Sequence, residues 1–153
     1  IHRAYLQAGA DLLLTNTFGG TSIVLAEYGL EARTAEINRI AAKIAREAAE
    51  AVATPAKPRF VIGDLGPTTK AITVTGGITF EGLRDTFYEQ ALALAEGGVD
   101  ALLLETQQDT RNIKAGLIGI RRAFAEFVRR ANAPMEGSAA ADQVTAVTSR
   151  SPL

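Results

Sequence analysis

Glu105 ends an unbroken apolar run, Ala101–Leu104, and is followed by Thr106 and Gln107. A carboxylate set among apolar neighbours is costly unless a cation or several donors meet it. A substrate ammonium group would serve, and so would a structural ion pair with arginine or lysine. Two further polar clusters also follow apolar runs. One is Thr15-Asn16-Thr17-Phe18-Gly19-Gly20, and the other is Gly63-Asp64-Leu65-Gly66-Pro67-Thr68. Asp64 reads as a second acid or as an ordinary loop residue. Gly66-Pro67 reads as a rigid turn. Phe18 either walls a pocket or packs under its loop, and Gly19-Gly20 either admits a ligand to the backbone or simply turns the chain. Tyr28 and Tyr88 fall on helical segments and read as packing residues. With one histidine, His2, and no cysteine, the common forms of nucleophilic catalysis have little material here. No Walker A motif, dinucleotide fingerprint or Ser/His/Asp set is present.

These clusters need elements to position them. The runs Leu12–Thr15, Arg59–Gly63 and Ala101–Glu105 do not alternate apolar with polar. That pattern predicts strands covered on both faces, as in a parallel sheet. Ile37, Ile40, Ala41, Ile44, Ala45, Ala48 and Val52 follow helical spacing, and the helix must stop before Pro55 and Pro58. Leu83, Phe87, Ala91 and Leu94 mark a second helix, ended by Gly97 and Gly98. Ile113, Leu117, Ile120, Phe124 and Phe127 mark a third, with Asp109 placed to cap it. Residues 1–8 read as the end of an earlier helix stopped by Gly9.

The expected order is therefore helix and strand in alternation, an α/β fold with parallel strands and right-handed crossovers. Gly9-Ala10-Asp11-Leu12-Leu13-Leu14 is echoed by Gly98-Val99-Asp100-Ala101-Leu102-Leu103. A repeated unit suits a (β/α)8 barrel or a doubly wound sheet. In either fold ligands bind at the carboxyl ends of the strands, where all three clusters fall. A typical barrel needs ~250 residues, so this chain has room for about three consecutive βα units.

Composition narrows the classes. The chain has 153 residues, 47% hydrophobic and 22% charged, with net charge -1. Nothing in that balance calls for nucleic acid or an anionic membrane. No apolar run approaches the ~20 residues that span a bilayer. No leader pattern is visible, so a cytoplasmic setting is the default expectation. The chain opens on Ile1 and not on methionine, so preceding residues are expected.

The stretches IHRAYLQAGADLLLTNTFGGTSIVLAEYGLE (1–31), RFVIGDLGPTTK (59–70) and EGGVDALLLETQQDTRNIKAGLIGIRRAF (96–124) resemble the homocysteine S-methyltransferase family. The wording is most similar to the N-terminal homocysteine-binding module of cobalamin-dependent methionine synthase. TNTF, LGPT and LLLET in this order carry the likeness. The resemblance implies a partial (β/α)8 TIM barrel that helps methylate homocysteine to methionine. In that family three cysteines hold a zinc ion on the substrate sulfur. A free thiol titrates near ~8.5, and the metal makes it a thiolate at neutral pH. The family's glutamate for the homocysteine amino group matches Glu105. Thr15 and Phe18 match pocket-lining positions, Asn16 and Thr17 are assigned with them to substrate binding, and Gly66 and Pro67 belong to the loop motif.

The resemblance places no catalytic side chain and no metal ligand in this chain. The zinc cysteines lie in later strands of the family, and its first strand would precede Ile1. Methylcobalamin, through other modules, is the expected methyl source, with S-methylmethionine or betaine used elsewhere in the family. The likeness fades from about Glu126. Residues 1–131 are expected to form the barrel portion and residues 132–153 a disordered tail, as a premature end, a frameshift or a gene-model error would leave. A chain of this kind is expected to be inactive alone. The competing expectation is a non-catalytic α/β module completed by a partner chain. A third reading makes Glu105 and Asp64 an acid–base pair, which requires them to share a cleft and one pKa to rise.

Overall fold

The computed structural model describes residues 1–133. The expected tail lies outside them except for Asn132 and Ala133, which close the last helix. The order is α1 (His2–Gln7), β1 (Leu12–Leu14), α2 (Ser22–Leu25), two 3-10 turns, α3 (Thr34–Glu50), β2 (Phe60–Leu65), α4 (Phe80–Glu96), β3 (Ala101–Leu104) and α5 (Thr110–Ala131). The alternation of strand and helix is the expected one. The three strands are parallel and lie side by side in chain order, with Leu14 opposite Ile62 and Asp64 opposite Leu103. This is part of a barrel-like sheet with its helices on one side.

The element ends follow from local chemistry. Gly9 (φ 106) and Gly98 (φ 93) take left-handed conformations that release α1 and α4 into the strands that follow. Thr79 caps α4 by accepting the Gly82 N–H at 3.0 Å. Asp109 caps α5 as expected, its Oδ1 accepting the Arg111 N–H at 2.8 Å.

The core lies between sheet and helices. Leu65, Leu83, Phe87, Ala91, Leu94, Ala115 and Ala123 are fully buried around α4. A smaller cluster of Leu6, Leu13, Ala45, Ala48, Ala49 and Val61 seats α1 and α3 on β1 and β2.

Three expectations need correction. The strands are covered on their helix side only, since Leu12, Leu14, Phe60 and Leu103 on the other face are exposed. The helices also turn smaller residues inward than their apolar spacing suggests. α3 buries Thr34, Asn38, Ala42, Ala45, Ala48 and Ala49, while Ile40 and Ile44 are exposed. α5 buries Ala115, Gly116, Gly119, Ile120 and Ala123, while Leu117 and Phe124 are exposed. Small side chains let helix backbones approach sheet and neighbour closely, and that proximity decides which face is inner. An apolar groove of about 990 Å³ runs along β1 and α3, with Ile37, Ile40, Ile44, Leu12 and Leu14 in its walls. Tyr28 is 71% exposed and does not pack, whereas Tyr88 stacks under the Arg122 guanidinium at 4.5 Å.

Candidate active site at the carboxyl ends of the strands

The three polar clusters meet at one end of the sheet. Thr15, just past β1, is buried, and its Oγ1 accepts the Asp64 N–H at 2.9 Å. Thr17 is also buried, and its hydroxyl donates to the Asp64 carbonyl at 2.7 Å. The two hydroxyls lie 2.5 Å apart. Because Thr17 gives its proton to the carbonyl, Thr15 must donate to Thr17. The result is a closed ring in which both threonines grip the peptide groups of Asp64, so their hydroxyls position β2.

Behind this ring lies an amide relay that sequence reasoning missed. Gln90 on α4 and Asn38 on α3 are fully buried. Gln90 Nε2 donates to the Thr17 carbonyl at 2.8 Å and to Asn38 Oδ1 at 3.2 Å. Asn38 Nδ2 donates to the carbonyls of Gly20 at 2.7 Å and Thr34 at 2.8 Å. The relay secures both ends of the loop 17–20 from the core side. Gly20 is obligatory there, since a Cβ would lie 2.5 Å from Asn38 Oδ1 and 2.8 Å from Gln90 Nε2. The available signal was a polar amide at an apolar helical position, seen in Leu83, Phe87, Gln90 and Leu94.

Asn16 is exposed, and so is Phe18 (44%). The Phe18 carbonyl accepts the Gly66 N–H at 3.1 Å, and its ring lies where a Gly66 Cβ would stand, 2.7 Å from Cδ2. Gly66 therefore lets the first two loops close on each other, and Pro67 follows half-buried. The segment after Pro67 is tied to the third loop. Asp109 Oδ2 accepts from both the N–H and the hydroxyl of Thr73, at 2.9 and 2.5 Å, and Asn112 Oδ1 accepts the Ile72 N–H at 3.1 Å. Those Thr73 hydrogen bonds hold the Asp109 carboxyl below its ordinary range.

Asp64 and Glu105 stand side by side. Register places Asp64 opposite Leu103, and Glu105 two residues on falls on the same face, with its N–H bonded to the Leu65 carbonyl at 3.1 Å. Glu105 is half-buried, and its Oε2 accepts the Thr106 hydroxyl at 3.1 Å. Gln107 Nε2 donates to the Glu105 carbonyl at 3.1 Å. Thr106 holds φ 57, the one positive φ at a non-glycine among the described residues. Such a conformation costs on the order of 1 kcal/mol and is typical of a functional turn.

Among the described residues neither Asp64 nor Glu105 pairs with a lysine or arginine. Burial, with the Glu105 carboxylate beside it, pushes Asp64 up from 3.8 to about 6. The two acids are thus neighbours, and the pKa of one rises.

The sign for stability follows. The folded state binds more protons than the unfolded chain between pH 4 and 6, so this group's contribution falls as pH rises through that window. Asp64→Asn is expected to remove the loss and to be more stable than wild type at pH 7 by roughly 1–2 kcal/mol, allowing for water that reaches the pair. Urea midpoints at pH 4.5 and 7 check it. An equal wild-type-to-variant difference at both values would refute the strained pair.

A sequence model of the homocysteine S-methyltransferase family matches residues 1–153. The chain belongs to the homocysteine S-methyltransferase family. Its fold is similar to the crystal structure of the homocysteine methyltransferase MmuM from Escherichia coli, metallated form, with 26% identity and a TM-score of 0.68. The oxidized form of the same enzyme gives 25% identity and a TM-score of 0.69. Each comparison covers 82% of this chain and 46% of the other, so the chain spans less than half of those structures.

The zinc ligands expected for the family do not fit the donors present. This chain has no cysteine, and among the described residues no group of three or more His, Asp or Glu side chains could hold an ion. Among the described residues no helix is long and apolar enough to cross a membrane.

Proposed function

We propose that this chain supplies the homocysteine-binding part of a homocysteine S-methyltransferase, with Glu105 receiving the substrate ammonium group. The observation that carries the reading is Glu105 itself, a half-buried carboxylate at a strand end with no cationic partner among the described residues. An amino-acid ammonium would provide the missing charge. Phe18 and Asn16 are exposed and would line the substrate, with Thr15 and Thr17 fixing the loop that bears them. Gly66 and Pro67 hold the second loop against Phe18. Methyl transfer would need the sulfur as thiolate, and the wording of TNTF and LGPT favours a methyl group delivered on cobalamin by another module.

Glu105→Gln keeps shape and removes charge. It is expected to weaken L-homocysteine binding ten- to a hundredfold, about 1.4–2.7 kcal/mol, by isothermal titration calorimetry. Equal affinity in the variant would overturn the assignment. A second reading, a non-catalytic module completed by a partner chain, is favoured by the exposed Leu12, Leu14, Phe60 and Leu103 on the open sheet face. Co-purification with a cysteine-bearing chain would support it, and unaided homocysteine binding by the monomer would count against it.

A further inference from the structure

We propose that Asp64 is the second half of the ammonium receptor, its buried carboxylate and that of Glu105 together gripping one primary ammonium group. The inference rests on the reading of Glu105 above. Asp64 is 6% exposed, and among the described residues its Oδ1 has no hydrogen-bond donor. Its peptide N–H and carbonyl are both held by the Thr15–Thr17 ring, which fixes the backbone that carries the carboxylate. Among the described residues, the elements packed around it offer no positive charge. β1 ends in Thr15, Asn16 and Thr17, α4 presents the neutral Gln90, and β3 presents Glu105, of like sign.

A buried acceptor without a donor beside a second carboxylate is strained as an empty structural pair and well suited to a bound cation. An –NH3⁺ group has three N–H donors, more than Glu105 alone would use. Gln107 Oε1, two residues along from Glu105, is another buried acceptor without a donor among the described residues. The site therefore selects a free primary ammonium. A trimethylated nitrogen has the charge but no N–H to give and is excluded. Binding the cation also lowers the proton affinity of the pair, so near pH 6 homocysteine binding releases a proton.

The test is calorimetric titration of the full chain with L-homocysteine at pH 6, in two buffers of different ionisation enthalpy, for wild type, Asp64→Asn and Glu105→Gln. Circular dichroism checks that each variant is folded. The expected result is a tenfold or larger loss of affinity in Asp64→Asn together with loss of the buffer-dependent heat. N,N,N-trimethylhomocysteine should not compete in wild type. If Asp64→Asn keeps both affinity and proton release while Glu105→Gln loses affinity, the two-carboxylate proposal falls and the Glu105 reading stands. If neither variant changes affinity, or wild type does not bind, both fall. A folded Asp64→Asn that loses affinity and proton release, with the trimethylated compound excluded, supports the proposal.

Discussion

Gly119→Val is expected to lower stability by about 4 kcal/mol or more and to leave the chain largely unfolded at 37 °C. The reason is where the missing side chain would go. A Cβ on Gly119 lies 2.5 Å from the Arg84 carbonyl oxygen and 2.9 Å from the Tyr88 nitrogen. Both belong to the α4 backbone, which cannot yield as a side chain can. α5 would have to lift away, uncovering Leu83, Phe87, Ile120 and Ala123, which are buried at this seam. Each large side chain exposed there forfeits about 1.5–3 kcal/mol of burial. Gly116→Ala gives the contrast, because its Cβ meets the Leu104 Cδ2 at 2.7 Å, the end of a side chain. Urea denaturation followed by circular dichroism should rank wild type, Gly116→Ala and Gly119→Val in falling order. A Gly119→Val midpoint at the wild-type value would contradict the close approach of α4 and α5.

The second large effect lies behind the loop. Gln90→Leu preserves volume and removes the donors to the Thr17 carbonyl and Asn38 Oδ1. A buried acceptor left without a donor costs about 1–3 kcal/mol, so the expected loss is about 3 kcal/mol for the two. The effect should reach function, because the same bonds fix the loop bearing Asn16 and Phe18. Homocysteine affinity should fall although Glu105 is untouched. Hydrogen–deuterium exchange supplies the check. Protection should drop at residues 15–20 more than in α5. Uniform loss across the chain, or no loss, would mean that the relay does not hold the loop.

These effects show which parts of the molecule could be read from its residues. Strand positions and helix order came from local signals: apolar runs at Leu12 and Ala101, glycines at 9 and 98, and a capping Asp109. Each acts within a few residues, so each survives in a one-dimensional reading. The inner faces of α3 and α5 did not. Large side chains at Ile44 and Leu117 mark an apolar stripe, but the inner face goes to the residues that permit the closest approach, and that depends on a neighbour remote in sequence. The strands likewise reported two apolar faces without saying which one the helices cover.

The site was legible to different depths. Glu105 was conspicuous because its neighbours are apolar. Asp64 was visible as an acid, but parallel register made it the companion of Glu105. Thr15 and Thr17 stand out as polar residues after an apolar run, while their engagement with Asp64 peptide groups required the fold. Asn38 and Gln90 could not be paired from sequence, since nothing local links an amide on one helix to an amide on the next.

The side-by-side arrangement of the strands in chain order has a temporal consequence. β2 finds its first partner in β1, already made when it emerges, and β3 finds β2 in the same way. Among the described strands, no pairing waits for a strand synthesised later to be inserted between two earlier ones. A chain leaving the ribosome from its N-terminal side can therefore add each βα unit to a finished template. The acid pair, made by β3 meeting β2, is then completed only when β3 docks, so the most strained chemistry enters the described sheet with the later of its two pairings.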